Sequence, residues 1–143
     1  MYGDNSKSFQ KLQKLFTGVY SINLHSDELL KDNFMHAKTF LTDDAFIIQT
    51  ANLGYAGFFN NREFFFISHD QRIRANLKKL FAKDRTGQKI VPEDIEPELL
   101  ICPIDCRQKT EYIVSGAKHS IRMYQQYITD PSLLALLTGK QEE

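Results

Sequence analysis

The sequence predicts an α/β protein, and within that class a layered α/β/α sandwich around a mixed, mostly buried sheet. Short apolar segments with strand-like alternation occur between segments with helical spacing along the whole chain. Alternation of strands and helices is typical of layered α/β domains. The 143 residues are 42% hydrophobic and 25% charged, which is a globular composition and enough chain for one ordinary domain.

The N-terminal elements follow from apolar spacing and from turn residues. Apolar residues recur at helical spacing between Phe9 and Phe16, and Gly18 ends that helix. The aromatic run REFFFIS is expected where both faces of a strand are covered. We therefore predict a helix over Ser8–Phe16, strands over Val19–Leu24, Phe34–Leu41, Ala45–Thr50 and Arg62–Ser68, a turn at Thr42–Asp44, and loops over His25–Asn33 and Leu53–Asn61.

The C-terminal elements follow from helix signals and from one change in composition. The segment Lys83–Pro97 is rich in charge, glycine and proline, which is typical of a linker. Asp130 is a good N-cap and Pro131 is favoured at the first helical position, so a helix begins there. We further predict helices over Gln71–Ala82 and Arg107–Lys118, and strands over Glu98–Cys102 and Ser120–Tyr127.

The stretch from residue 36 to residue 68 carries the side chains with the most chemistry. His36 and Lys38 are two apart on a predicted strand and therefore point to the same face. An imidazole beside an ammonium suits a phosphate, because one group attacks or transfers a proton while the other neutralises oxygen charge. Polar side chains near the ends of the next strands complete the predicted site: hydrogen-bond donors at Thr50 and Asn52, and a carboxylate at Glu63 that could fix an imidazole tautomer.

This stretch resembles the phospholipase D superfamily. His36, Lys38 and Asp43 match its HxKxxxxD motif, and Thr50 and Asn52 lie where the family has GSxN. The segment NNREFFF resembles the family strand that carries a glutamate, which is Glu63 in this chain. Two positions depart from the pattern: Gln49 and Thr50 replace the glycine and serine, and Asp44 lies beside Asp43.

The resemblance implies covalent catalysis through a phosphohistidine, with no metal or other cofactor. In the family one histidine attacks phosphorus, a second histidine protonates the leaving alcohol, and water or another alcohol releases the intermediate. The implied roles are catalytic for His36, Lys38 and Asp43, substrate-binding for Thr50 and Asn52, and supporting for Glu63, with Lys38 also binding phosphate and Asp43 largely structural.

The resemblance also implies how the chain is organised. Residues 1–85 resemble the closing half of a phospholipase D domain, residues 86–97 a linker, and residues 98–143 the opening half of a next repeat. Such a chain supplies one motif. The second histidine would come from a missing downstream repeat, the alternative favoured here, or from another copy across a two-fold axis, as in the family's single-motif nucleases.

The resemblance implies a phosphodiesterase that hydrolyses or transfers phosphatidyl groups of phospholipids, as in cardiolipin synthases. Eighteen basic and eighteen acidic residues give zero formal net charge, which favours lipid over nucleic acid. A single-motif dimeric endonuclease and a catalytically silent binding module or fragment are the alternatives. The basic residues between Gln71 and Lys89 fit lipid headgroups, a nucleic-acid backbone or, more simply, a solvated helix face.

Three further features of the sequence concern its location, its cysteines and the aromatic residues that follow the motif. No apolar run approaches the roughly 20 residues that span a bilayer, and no secretory signal is visible, so peripheral membrane contact and a cytoplasmic location are both compatible with the chain as given. Cys102 and Cys106 do not make a zinc site; a disulfide between them is possible but not demanded, and we expect two small residues flanking a strand end. The aromatics Tyr55, Phe58 and Phe59 either line a substrate entrance or cap the core.

Overall fold

A computed structural model describes residues 6–15 and 36–141. The described residues combine helices with one small antiparallel sheet, which fits the general α/β class. The elements in chain order are α1 (Ser6–Leu15), β1 (Thr39–Leu41), β2 (Phe46–Gln49), α2 (Tyr55–Phe59), β3 (Phe65–Ser68), α3 (Gln71–Thr86), a 3-10 turn (Pro92–Asp94), α4 (Cys106–Ser115) and α5 (Pro131–Gln141). The strand predicted over Val19–Leu24 and the loop predicted over His25–Asn33 lie outside the described residues.

The sheet has the order β1-β2-β3, and both strand pairs are antiparallel. Thr39 pairs with Ile48 in the first ladder, and Ile48 pairs with Phe66 in the second. A tight turn joins β1 to β2, with the Thr42 N–H donating to the Ala45 carbonyl at 2.9 Å. Such short connections favour antiparallel pairing. The mixed sheet and the layered sandwich stay predictions for the chain as a whole.

The core lies between one face of the sheet and helix α3. Phe46 is fully buried and packs with Leu77 of α3 and with Ile95 and Leu99. Because directly opposed strand residues share a face, Leu41 and Ile48 lie on this same face and pack against the cluster. The segment predicted as a linker, residues 86–97, therefore contributes a buried side chain to the core, whereas the division of the chain into two repeat halves stays a prediction.

Helix α3 is fixed to the following segment by polar contacts. Asp70 caps its first turn by accepting from the Arg72 and Ile73 N–H groups, and Gly87 ends it with a left-handed φ of 67°. The helix runs four residues beyond the predicted end at Ala82 because Gly87, not the change in composition, supplies the stop. The buried carboxylate of Asp94 then accepts from the ammonium groups of Lys79 and Lys83.

Strand β3 differs from its prediction. The sequence predicts an aromatic strand covered on both faces, yet Phe65, Phe66 and Ile67 are 43%, 61% and 61% exposed. This prediction is wrong for the described structure, in which β3 is one of the two edge strands, while α3 packs against β1 and against Phe46 of β2. The Phe66 ring still reaches the core edge, with its centroid 6.1 Å from that of Phe46. An exposed edge strand rich in apolar residues presents unpaired backbone groups with which another strand can pair.

The C-terminal third contains helices where helices are predicted but no strand within its described residues. Residues 98–102 and 120–127 form turns and irregular backbone, so both predicted strands are wrong. Leu99 is buried and Ile101 and Ile104 pack on the core, and the backbone of this segment forms turn hydrogen bonds instead of pairing with a strand. Helix α4 begins at Cys106, and α5 begins at Pro131 as predicted, with the Leu133 N–H donating to the Asp130 carboxylate at 3.0 Å.

The two cysteines form a disulfide, with the sulfur atoms 2.02 Å apart. The expectation of two unbonded small residues at a strand end is therefore wrong. The turn over residues 101–104 brings the two Cα atoms within 5.1 Å, which is a normal separation for a disulfide. Among the described helices, none is long and apolar enough to cross a membrane.

Candidate functional site

Three strand ends meet at one end of the sheet and bring together side chains that the motif predicts. The Gln49 N–H donates to the Lys38 carbonyl at 3.0 Å, which aligns the start of β1 with the end of β2. The Thr50 N–H donates to the Phe64 carbonyl at 3.1 Å, which aligns the end of β2 with the start of β3. Lys38, Thr50 and Glu63 therefore lie at the same end, called here the site end of the sheet.

The side chains of His36 and Lys38 are in direct contact, as their spacing predicts. The Lys38 Nζ lies 3.0 Å from the His36 Nδ1, and it also donates to the His36 carbonyl at 2.6 Å. An ammonium has only donors, so the imidazole Nδ1 accepts and a neutral ring then carries its proton on Nε2. His36 is exposed, so its ring is open to a substrate approaching from solvent.

The charge of Lys38 is set by two opposing influences. Partial burial lowers the pKa of its ammonium, and the negative charge of Glu63 opposes that shift by raising it. The ammonium of Lys38 and the carboxylate of Glu63 thus interact electrostatically at the site end of the sheet.

Thr50 and Glu63 are joined across β2 and β3. The Thr50 hydroxyl donates to Glu63 Oε2 at 2.5 Å and accepts from the Phe64 N–H at 3.0 Å. Glu63 Oε1 accepts from the side-chain amide of Asn61 at 3.4 Å. Sequence reasoning did not single out Asn61, although its position two residues before Glu63 in an extended segment was a usable signal.

The side chain of Gln49, which stands where the resembled family has glycine, is accommodated inside the loop that follows β2. It is 8% exposed, and its amide donates to the Ala51 carbonyl at 2.9 Å. Ala51 is itself fully buried. The buried Gln49 side chain therefore bridges the backbone of residues 49–51 from the inside of the protein, and the Thr50 side chain lies on the exposed side.

Asn52 is exposed on the same loop, and its backbone is held by the residues of α2. Its carbonyl accepts from the Gly54 N–H at 2.8 Å. A Cβ atom built on Gly57 would lie 2.3 Å from that carbonyl oxygen, so only glycine fits this approach. The predicted loop over Leu53–Asn61 contains the short helix α2, and Gly57 is where this helix approaches the Asn52 backbone, a feature that the sequence showed only as a loop glycine.

Asp43 lies away from the other predicted catalytic residues. It belongs to the turn between β1 and β2, at the end of the sheet opposite the site end. In this turn the Thr42 hydroxyl donates to the Asp44 carboxylate at 3.0 Å, so it is Asp44 that closes the turn. The structure thus brings together His36 with Lys38 and Thr50 with Glu63, and it does not bring Asp43 to them.

Exposed aromatic side chains surround the site end. Tyr55, Phe58 and Phe59 of α2 are 73%, 54% and 73% exposed, so they do not cap the core. The Phe58 ring stacks on Phe65 with centroids 6.4 Å apart. These rings form an exposed apolar surface on the side of the loop that carries Asn52, and a substrate entrance there stays a prediction.

Three of the six basic residues of α3, namely Arg72, Lys79 and Lys83, form ion pairs within the chain. Arg72 bonds both oxygens of Glu98 at 2.6 and 2.9 Å and also bonds Glu96, and these hydrogen bonds raise the pKa of its guanidinium. Lys79 and Lys83 both pair with Asp94. Hydrogen bonds from Lys83, the Val91 N–H and Lys79 hold the pKa of Asp94 well below its usual range. This pairing reduces the positive field available to a nucleic-acid backbone.

Within residues 6–15 and 36–141, no group of three or more metal-ligating side chains is close enough to hold a metal ion. No protein-family model matches the chain, and no curated protein or solved structure matches it either.

Proposed function

We propose that the chain is part of a metal-independent phosphodiesterase of the phospholipase D type, which hydrolyses or transfers phosphatidyl groups of phospholipids. The observation that carries the proposal is the contact between the Lys38 ammonium and the His36 imidazole, 3.0 Å apart at the site end of the sheet. Thr50 and Glu63, joined at the same end, support it. In this proposal the three described strands belong to a larger layered α/β/α sandwich.

The roles follow from the chemistry of each group. His36 attacks phosphorus, the bond to the leaving alcohol breaks, and a phosphohistidine forms. Lys38 neutralises the phosphate oxygens, Asn52 donates to them, and Thr50 and Glu63 hold the loop that presents Asn52. When phosphate draws the Lys38 ammonium away from Nδ1, that nitrogen becomes free to take the ring proton, which leaves Nε2 with the lone pair needed for attack.

The leaving alcohol requires a proton, which a second histidine supplies in this proposal. That histidine comes from a further repeat or from another copy of the chain. The two sources differ in concentration dependence: activity that needs a second copy rises faster than linearly with protein concentration, and activity within one chain rises linearly. Water or another alcohol then attacks the phosphohistidine and restores His36.

The test is hydrolysis of a chromogenic phosphodiester without added metal, over a range of protein concentrations. His36→Ala should lower the rate by at least about 100-fold, since it removes the nucleophile. His69→Ala is the matched control, because His69 is exposed and lies near the Asp44 carbonyl in the β1–β2 turn, away from the site end. Equal rates for the wild type and His36→Ala at every concentration would contradict catalysis by this chain alone and would favour the silent module.

A second arm separates lipid from nucleic acid. Phosphatidylcholine vesicles and single-stranded DNA are offered to the same preparation, with release of headgroup or of shorter oligonucleotides as the readouts. Lipid turnover is expected, because the exposed aromatic surface beside the site suits acyl chains and three of the six α3 cations are paired within the chain. DNA cleavage that is lost in His36→Ala would instead establish the endonuclease.

A further inference from the structure

The disulfide Cys102–Cys106 lies outside the site just described, on the opposite half of the described chain. It joins Cys106, the first residue of α4, to Cys102, which lies four residues earlier in the preceding turn. Cys102 is exposed, whereas Cys106 is partly buried. One sulfur is therefore open to an attacking group from solvent and the other is sheltered by the start of a helix.

The loop closed by the disulfide is also closed by polar contacts that do not need it. The buried Asp105 carboxylate accepts from the Ile101 N–H at 2.8 Å and pairs with the Lys109 ammonium at 2.6 Å. Burial alone raises the pKa of Asp105, but the bonds from Lys109 and Ile101 outweigh it, so the carboxylate is held in its charged form. The same Lys109 donates to the Leu99 carbonyl at 2.6 Å. A bond across so short a loop also restrains the unfolded chain less than a long-range disulfide does.

The two sulfurs differ in how well they leave as thiolates. Cys106 is the first residue of the ten-residue helix α4, whose first-turn N–H groups favour negative charge. The first turn contains no acidic residue, and the Asp105 side chain is directed to Ile101 and Lys109 instead of capping it. The neighbouring Arg107 guanidinium is paired with both Glu111 and Asp130, so it adds no net positive charge to this turn. The helix N–H groups make Cys106 the better leaving group, and exposure makes Cys102 the accessible electrophile.

We propose that Cys102–Cys106 is a thiol–disulfide exchange site whose reaction partner is a dithiol reductant. A partner thiolate attacks Cys102 Sγ, the bond to Cys106 Sγ breaks, and Cys106 leaves as a thiolate that takes up a proton. The second partner thiol then attacks the mixed disulfide and releases Cys102. The partner is oxidised to its disulfide, and its two electrons reduce the cysteine pair to two thiols.

The first test locates the attacked sulfur. The full chain is incubated with reduced glutathione, quenched with iodoacetamide, digested, and sequenced by mass spectrometry to find glutathione on one cysteine and the alkyl group on the other. Glutathione should occupy Cys102 in about tenfold excess over Cys106. An excess on Cys106, or no adduct while the chain stays folded in glutathione or dithiothreitol, would overturn the proposal.

The matched serine variants test reversibility. In Cys106→Ser, glutathione disulfide should leave a stable adduct on Cys102, since the resolving thiol is gone. In the reduced wild-type chain the same adduct should be released as the internal disulfide closes again, and in Cys102→Ser an adduct on Cys106 should form several-fold more slowly because Cys106 is sheltered. Adducts of equal rate in the two variants would contradict the assigned roles.

Thermal unfolding separates an exchange site from a structural staple. Reduction by dithiothreitol should lower the unfolding temperature by no more than about 5–8 °C, because the Asp105 contacts keep the loop closed. Loss of cooperative unfolding on reduction would show that the disulfide is needed for the fold and would refute the exchange function. This readout does not involve phosphodiester hydrolysis, so the two proposals succeed or fail separately.

Discussion

Gly57 is the point at which helix α2 and the loop carrying Asn52 approach most closely, and Gly57→Ala is therefore the sharpest perturbation of the candidate site. The added Cβ would lie 2.3 Å from the Asn52 carbonyl oxygen, where ordinary contact begins near 3.4 Å. The same Cβ would lie 3.5 Å from the Cβ of Ala51, which is fully buried and cannot yield toward solvent. We expect the Asn52 carbonyl to move by about 1 Å.

Two effects of opposite sign set the change in stability. Overpacking of this kind costs about 1–3 kcal/mol. Alanine is favoured over glycine within a helix by roughly 1 kcal/mol, which offsets part of that cost. A contact of 2.3 Å with a backbone oxygen places the overpacking cost in the upper part of that range, about 2–3 kcal/mol, so Gly57→Ala should lower the free energy of unfolding by about 1–2 kcal/mol. For a chain of this size the unfolding temperature should fall by about 3–8 °C.

The control is Gly54→Ala, which makes the same chemical change three residues earlier. A Cβ at Gly54 meets nothing within 4 Å, and φ is −137°, a conformation open to any residue. Both variants are compared with the wild type by circular dichroism during heating and by phosphodiester hydrolysis. We expect Gly54→Ala to stay within about 0.5 kcal/mol of the wild type.

Each readout has its own refuting result. An unfolding temperature for Gly57→Ala equal to or above that of the wild type would show that helix propensity dominates and that the close approach to Asn52 is wrong. If the wild type hydrolyses the diester, Gly57→Ala should lose about 10- to 100-fold in rate, because Asn52 is displaced by about 1 Å. An unchanged rate together with lowered stability would exclude Asn52 from phosphate binding.

Two further predictions concern stability. The pKa of Asp94 is held below its usual range mainly by Lys83, so its ion pairs stabilise the fold above the unfolded value near pH 4 and lose that effect as the pH falls further. Urea unfolding should therefore show Asp94→Asn to be less stable than the wild type at pH 7, and the difference in unfolding free energy should narrow below about pH 4. A difference that stays constant from pH 7 to pH 2 would contradict this. Phe46→Ala should lower the free energy of unfolding by about 3–5 kcal/mol, because Phe46 is fully buried. The control Phe59→Ala should lower it by less than about 1 kcal/mol, because Phe59 is 73% exposed. Similar decreases for the two variants would refute the assigned core.

The sequence by itself determined the features that depend on neighbouring residues. The helix start at Asp130 was predicted because an N-cap carboxylate bonds an N–H group only three residues ahead, and the helix from Gln71 was predicted because its apolar residues recur at helical spacing. The contact between His36 and Lys38 was readable because their spacing of two places both on one side of an extended chain. The strand around Phe46 was also predictable from neighbouring residues, because it is a short apolar run that follows directly on a turn.

The tertiary structure alone decided the features that need a partner distant in sequence. Residues 98–102 and 120–127 have strand-like composition, yet a strand forms only where another backbone is available for pairing, and Leu99 meets the α3 core instead. The segment around Ile95 has the composition of a linker but is held to α3 through Asp94, Lys79 and Lys83. The exposure of β3 likewise depends on where α3 packs, which the apolar content of the strand does not encode.

The candidate site divides along the same line. Local spacing determined that an imidazole and an ammonium lie together, but only the antiparallel register brought Thr50 and Glu63 to the end of the sheet where Lys38 lies. The same register carried Asp43 to the opposite end, because a residue in the turn between two antiparallel strands lies a full strand length from their other ends. The spacing of a motif gives only the separation of its residues along the chain. Whether those residues lie close together in space depends on how the strands pair in the sheet.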